Sequence, residues 1–167
     1  MGGGGGISSF IHCAGYADFS AIKHFDYTQS LETFNINFFS CCEIIKTLLK
    51  KTNKAYLKNI LLISSISAIR GYKGSSIYAA TKAGLDSLSR TLCNELSDTI
   101  RVNSIQLGNI LTTSNTHLHQ NNLKPSPTRD GKCEDVASLI EFLLSESAGW
   151  INGQNIILDG GKSNIGY

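Results

Sequence analysis

Apolar residues along the chain follow two alternating rhythms. Four short runs rich in β-branched and apolar residues, Ser9–His12, Asn59–Ser64, Arg101–Leu107 and Gln154–Leu158, predict strands. Between the first two, Asp26–Lys51 places Leu31, Phe34, Phe38, Cys41, Ile45 and Leu48 at steps of three and four, which predicts an amphipathic helix. Ser75–Leu96 does the same with the stripe Ala80, Gly84, Leu88, Leu92 and Leu96. Glu134–Leu144 is a shorter helix with Val136, Ile140 and Leu143 on one face, and Glu134 and Asp135 suit its positive N-terminal end.

Strands alternating with helices in this way imply βαβ units with right-handed crossovers, hence an α/β fold with a parallel sheet of about four strands and flanking helices. One segment breaks the rhythm. Leu111–Cys133 is polar, holds both prolines (Pro125 and Pro127) and groups His117, His119, Gln120, Asn121 and Asn122. A connection that long is a lid, a binding loop or a disordered segment.

Composition narrows the class. The chain has 167 residues, 41% hydrophobic and 17% charged, which supports one packed domain and excludes a disordered chain. A net charge of +2 with no basic cluster beyond Lys50–Lys51 argues against a nucleic-acid surface. No apolar stretch approaches the roughly 18 residues of a membrane span, and the start is not a secretory signal. Met1–Gly6 reads as a glycine leader, with residues 7–167 as the folded part; a phosphate loop would follow a strand and open a helix. The five cysteines form no C-x-x-C pair, which disfavours disulfides and zinc and fits a cytoplasmic setting. Cys13, Cys41 and Cys93 fall in apolar patterns as small hydrophobes, and Trp150 reads as core or interface packing. His117 and His119 lack a third ligand at a metal-site spacing, so no metal is expected.

The strongest chemical signal is Tyr78-Ala79-Ala80-Thr81-Lys82. Residues four apart share a helix face, so phenol and ammonium project side by side, and the ammonium is expected to lower the tyrosine pKa. Ser65 lies at the carboxyl end of the second strand, where open parallel sheets bind their ligands. Its hydroxyl is placed to hydrogen-bond an oxygen that the tyrosine protonates. Ser64 is the alternative to Ser65, and the spacing to Tyr78 favours Ser65.

The ordered set Cys13-Ala14-Gly15, Asn35, Ser64-Ser65, Tyr78-x-x-x-Lys82, Gly108 and Asn152-Gly153-Gln154 through Asp159-Gly160-Gly161 resembles the short-chain dehydrogenase/reductase family, and most of all its 3-oxoacyl-reductase-like members. The resemblance implies a Rossmann-like sheet and NAD or NADP as cofactor. It also implies a small carbonyl or alcohol substrate, either small and polar or an acyl thioester. By the same resemblance Tyr78 is the general acid/base. Lys82 tunes Tyr78 and binds the nicotinamide ribose. Ser65 polarises the substrate carbonyl. Asn35 bends its helix and holds a water that links Lys82 to solvent, with Asn37 as its rival. Ala14, Gly15, Gly108, Ile110 and Thr112 line the cofactor's path. Helices 26–51 and 75–96 correspond to the family's dimer or tetramer interface.

Three departures stand against the family pattern. Cys13 replaces the asparagine of the N-A-G turn, with loss of its amide hydrogen bonds. Leu107 replaces the proline before Gly108, leaving that loop less rigid. The family's N-terminal glycine-rich β-α-β-α-β segment is not in the sequence, about 60–80 residues at 30 or more per βαβ unit. The first strand is therefore expected to expose an edge, and cofactor affinity to fall. Two readings follow: an NAD(P)-dependent oxidoreductase present as a partial domain, or a non-catalytic remnant or oligomerisation module that cannot bind dinucleotide alone.

Overall fold

The computed structural model describes residues 5–96, 99–112 and 126–165. Met1–Gly4 of the leader, His117, His119 and Pro125 lie outside the described residues. The strands are β1 (Ser9–His12), β2 (Asn59–Ser65), β3 (Arg101–Leu107), β4 (Ile110–Leu111), β5 (Gly131–Lys132) and β6 (Asn155–Leu158). The helices are α1 (Tyr27–Phe34), α2 (Ser40–Leu48), α3 (Lys51–Lys54), α4 (Ser76–Leu96) and α5 (Cys133–Leu144).

Four strands form one sheet in the order β1-β2-β3-β6, all parallel. The run Asn59–Ser65 is buried along nearly its whole length, because helices cover both faces of a parallel sheet. Ile60, Leu62 and Val102 face Cys41, Ile45, Leu85 and Leu92 of α2 and α4. Leu61 and Ile105 face Leu143 of α5 and Ala148 on the opposite side. β1 pairs with β2 alone and lies at the sheet edge.

The long helix expected over Asp26–Lys51 is interrupted. Asp26 caps α1 by accepting from the Gln29 N–H at 2.8 Å. A five-residue π-helical turn, Asn35–Phe39, then joins α1 to α2, and Lys50 takes an extended conformation that ends the helix early. Such turns carry one residue more per turn and rotate the face that follows them. The segment read as one long loop also holds structure at its two ends, where β4 and β5 pair in parallel. Cys13 is exposed, as is Trp150, which makes no core contact.

The largest departure concerns α4. Its buried face is Thr81, Lys82, Leu85, Asp86, Ser89 and Leu92; of the expected stripe, Leu92 is buried and Leu88 and Leu96 pack partly against the core, whereas Ala80 is exposed and Gly84 half-buried. Apolar periodicity tracks burial only while the buried residues are apolar, and four of these six are polar or charged.

Candidate active site

The side chains singled out for chemistry gather where β1 and β2 end and α4 begins. Ser65 is the last residue of β2. Its backbone is extended, and its hydroxyl accepts from the Ser67 N–H at 3.1 Å. Ser64 is turned away from the site: its hydroxyl donates to the Lys82 carbonyl at 3.0 Å and ties β2 to α4. The choice between the two serines therefore falls on Ser65, whose hydroxyl pulls the Tyr78 phenol's pKa down against burial.

Tyr78 lies in the first turn of α4, with the Phe19 ring against it at a centroid separation of 5.7 Å. The Phe19 loop is anchored by the Ser20 N–H, which donates to Gly74 O at 2.9 Å. Gly74 has a φ of 79°, a left-handed conformation that other residues rarely adopt, and it packs close beneath the Phe19–Ser20 backbone.

Lys82 runs along α4 beneath Tyr78. Its Nζ donates to the Ile63 carbonyl at 2.9 Å and stands 5.7 Å from the Tyr78 ring centroid. Burial pulls the ammonium down to about 8, against upward pulls from Asp86, Cys13 and Cys41. Burial also pushes the Tyr78 phenol up, and the Ser65 hydrogen bond draws it partly back. The expectation that Lys82 lowers the phenol is thus corrected: burial raises it, and the opposing pull comes from Ser65.

Asn35 does not join this group. It is exposed at the start of the π-helical turn, whereas Asn37, two residues on, is fully buried. Asn37 Oδ1 accepts from the Tyr16 N–H at 2.7 Å. Its Nδ2 donates to Tyr16 O at 2.9 Å and to Thr81 Oγ1 at 3.0 Å. Thr81 Oγ1 in turn donates to the Tyr78 carbonyl at 2.7 Å, so Asn37 braces the turn that carries the tyrosine. The sequence held a signal for this: Asn37 is three residues past Phe34 and four before Cys41, on the helix's apolar stripe, and Asn35 is off it.

His12 was not foreseen. Its buried ring lies 3.0 Å through Nε2 from the Asn37 carbonyl. A carbonyl only accepts, so Nε2 carries the proton. Burial lowers the His12 pKa, and the Lys82 charge lowers it further, against the hydrogen bond to Asn37, which raises it.

Ala14 and Gly15 are exposed just beyond β1, and a Cβ on Gly15 would come within 3.3 Å of Lys82 Nζ. Gly108, Ile110 and Thr112 follow β3 and are each half-buried. A Cβ on Gly108 would lie 2.7 Å from the Asp159 Cα, so this glycine lets the ends of β3 and β6 approach. Ile110 lines a hollow with Arg129, Asp135 and Leu158, and Arg129 pairs with Asp135 at 2.7 Å. The described residues hold no group of three or more His, Cys, Asp or Glu placed for a metal, and no described helix is long and apolar enough to cross a membrane.

Comparison with known proteins gives the same family as the motifs. Residues 2–163 match the family described as enoyl-(acyl carrier protein) reductase. The chain is 32% identical to the 3-oxoacyl-(acyl-carrier-protein) reductase FabG of Chlamydia trachomatis over 94% of its own length and 66% of that protein's. It is 33% identical to a trans-4-hydroxycyclohexanecarboxylate dehydrogenase of Sinomonas cyclohexanicum over 66% of its own length and 43% of that protein's. It is 32% identical to a tropinone reductase homologue of Arabidopsis thaliana, covering 85% of this chain and 54% of that one. The chain thus spans between about two-fifths and two-thirds of the length of these relatives. Among solved structures, a short-chain dehydrogenase/reductase from Mycobacterium ulcerans superposes with a TM-score of 0.88 at 28% identity, over 96% of this chain and 62% of that one. A 4-hydroxyisoleucine dehydrogenase complexed with NADH superposes at 0.83 with 26% identity, over 95% of this chain and 70% of that one. With its four-stranded parallel sheet, its matching motifs and these relatives, the chain belongs to the short-chain dehydrogenase/reductase family.

Proposed function

We propose that this chain carries the catalytic side of an NAD(P)-dependent oxidoreductase that interconverts a small carbonyl and an alcohol. The observation that carries the reading is the convergence of the Ser65 hydroxyl, the Tyr78 phenol and the Lys82 ammonium at the carboxyl ends of β1 and β2. A nicotinamide cofactor, when bound, supplies or accepts the hydride. The residues present fit its nicotinamide-ribose end: Gly15 leaves open the space beside Lys82 that a Cβ would fill, and Ala14 is exposed next to it. Gly108, Ile110 and Thr112 are assigned to the same path.

In the reduction direction Ser65 donates to the substrate oxygen and orients it. Tyr78, held protonated by its raised pKa, gives its proton to that oxygen as negative charge develops there. Lys82, a cation at neutral pH, stabilises the phenolate that remains. Asn37 takes the fourth role, in place of Asn35, because it fixes Thr81 and through it the Tyr78 backbone. We assign the chain to the cytoplasm, and to a homodimer or homotetramer formed through helices 26–51 and 75–96, where Leu31, Phe39 and Ile44 are exposed.

Titration of the purified chain with NADH and NADPH, read by nicotinamide fluorescence and then by oxidation with generic ketones, tests the enzyme reading. Saturable binding with turnover that Tyr78→Phe abolishes supports it. No binding at millimolar cofactor by a folded chain overturns it for this chain and leaves the non-catalytic reading. Sedimentation of the same sample tests the oligomer.

A further inference from the structure

Asp86 is 4% exposed, on the face of α4 that packs against the sheet. Its Oδ1 accepts from Ser104 Oγ at 2.7 Å and its Oδ2 from Gln106 Nε2 at 2.6 Å. Both donors are neutral, and the described residues hold no ion pair at Asp86. A carboxylate withdrawn from water without a cation is costly, so its surroundings merit a search for one. Arg90, one turn further along α4, is exposed and bonds Asn155 Oδ1 instead. Lys82 is the other candidate, one turn earlier on the same helix face and equally buried.

Sheet register sets the distance between them. Ser104 and Gln106 flank Ile105 on β3, and Ile105 is the register partner of Ile63 on β2. Lys82 Nζ is bound to the Ile63 carbonyl. The carboxylate is therefore clamped one strand over from the ammonium, and neighbouring strands lie about 4.8 Å apart. We propose that Asp86 is the buried counter-charge of Lys82, a positioning residue that acts across the β2–β3 register to keep the lysine an ammonium beside Tyr78.

Other groups around Lys82 are weaker sources of negative charge. Tyr78 on α4 and Cys41 on α2 are held neutral by burial, and the thiol of Cys13, an exposed residue beyond β1, is raised by partial desolvation. His12 on β1 is uncharged or cationic and never anionic. Among the pulls that oppose burial at Lys82, that of Asp86 is the largest. The inference rests on the assignment of Lys82 to the site, but the coupling is a property of the chain without cofactor.

The test is a pH titration of the Lys82 side chain by carbon NMR in chain labelled at the lysine ε-carbon, with the signal identified by its loss in Lys82→Met. Asp86→Asn should weaken proton affinity at Lys82 on the order of tenfold, the effect of removing a neighbouring opposite charge. Ser104→Ala disturbs the same network but keeps the carboxylate, and should leave the midpoint within about twofold. If Asp86→Asn does not fold, the combination Asp86→Leu, Ser104→Ala and Gln106→Leu removes the whole polar group for an apolar one, and the same tenfold drop is expected. A midpoint that moves less than about twofold on loss of the carboxylate, or that moves as far in Ser104→Ala, overturns the proposal. Failure to bind NADH or NADPH would sink the enzyme reading while leaving this measurement intact.

Discussion

The side-chain amide of Asn37 donates to Thr81 Oγ1 at 3.0 Å across 44 positions of sequence, and Thr81 passes the contact on to the Tyr78 carbonyl. A helix interrupted by a π-helical turn is thereby bolted to the first turns of α4, where Tyr78 and Lys82 sit. The same asparagine closes both of its amide groups on Tyr16 and receives His12 on its carbonyl. It is the point at which β1, the loop after it, α1 and α4 meet.

Asn37→Ala should therefore be far more damaging than Asn35→Ala. The first strips partners from the buried Thr81 hydroxyl and the part-buried Tyr16 backbone, groups worth about 1–3 kcal/mol each when left unsatisfied, so a loss of about 2–4 kcal/mol is expected. The second changes an exposed residue and should fall within about 0.5 kcal/mol of the parent. Urea unfolding of the two variants side by side measures the difference. Equal losses would mean that the amide of Asn37 contributes little to holding α4.

Much of this arrangement was legible in the residues. The sheet-forming runs fell within a residue of the observed strands, since each is apolar, β-rich and bounded by helical periodicity. Ser65, Tyr78 and Lys82 were legible because their spacing places them at the end of a strand and on one helix face. What could not be read was polar burial. The inward face of α4 carries Thr81, Lys82, Asp86 and Ser89 beside Leu85 and Leu92, so apolar periodicity marks its C-terminal leucines but not the polar first turns. The assignment to Asn35 rests on the family resemblance, whereas the apolar stripe of the helix, on which Asn37 lies and Asn35 does not, points to Asn37. The β4–β5 pair was missed because two-residue strands inside a polar segment have no period to detect.

Two glycines allow a contrast between structural and site roles. A methyl at Gly108 would lie 2.7 Å from the Cα of Asp159, and neither backbone can yield without parting β3 from β6. Gly108→Ala should destabilise the chain by about 1–3 kcal/mol. A methyl at Gly15 meets only the far end of the Lys82 side chain, at 3.3 Å. Gly15→Ala should leave the thermal midpoint close to the parent and weaken nicotinamide binding. Thermal unfolding combined with cofactor titration separates the two effects, and a destabilised Gly15→Ala would argue for a purely structural glycine.

His12 gives the chain an acid sensitivity. Its folded pKa lies below the ordinary 6.5, chiefly through burial. Between that lowered value and 6.5 the unfolded chain binds more protons, so stability is lost as pH falls through 6.5 and on through the folded pKa. His12→Asn keeps a donor for the Asn37 carbonyl and removes the titration. Urea midpoints at successive pH values between 7.5 and 5 should fall less steeply in this variant than in the parent. Parallel slopes would exclude His12 as the source.

Lys82 acts in a higher pH range and with the same sign of slope. Its folded pKa is about 8, against an ordinary value of 10.5, because burial penalises the ammonium. Between those two values the unfolded chain again holds the extra proton, so folding becomes more favourable as pH rises from 8 towards 10.5. Below pH 8 the buried charge costs the fold its full penalty, on the order of 3 kcal/mol at 1.36 kcal/mol per unit. Lys82→Met fills the same channel without charge and carries no such slope. The stability of Lys82→Met relative to the parent should therefore be greatest at pH 7 and shrink steadily by pH 10. Cys13, Cys41 and Tyr78 titrate in both chains, so their contributions largely cancel in the difference. A gap that stays constant from pH 7 to pH 10 would mean that Lys82 keeps its ordinary proton affinity inside the fold, and that Tyr78 works beside an ammonium the protein has not tuned.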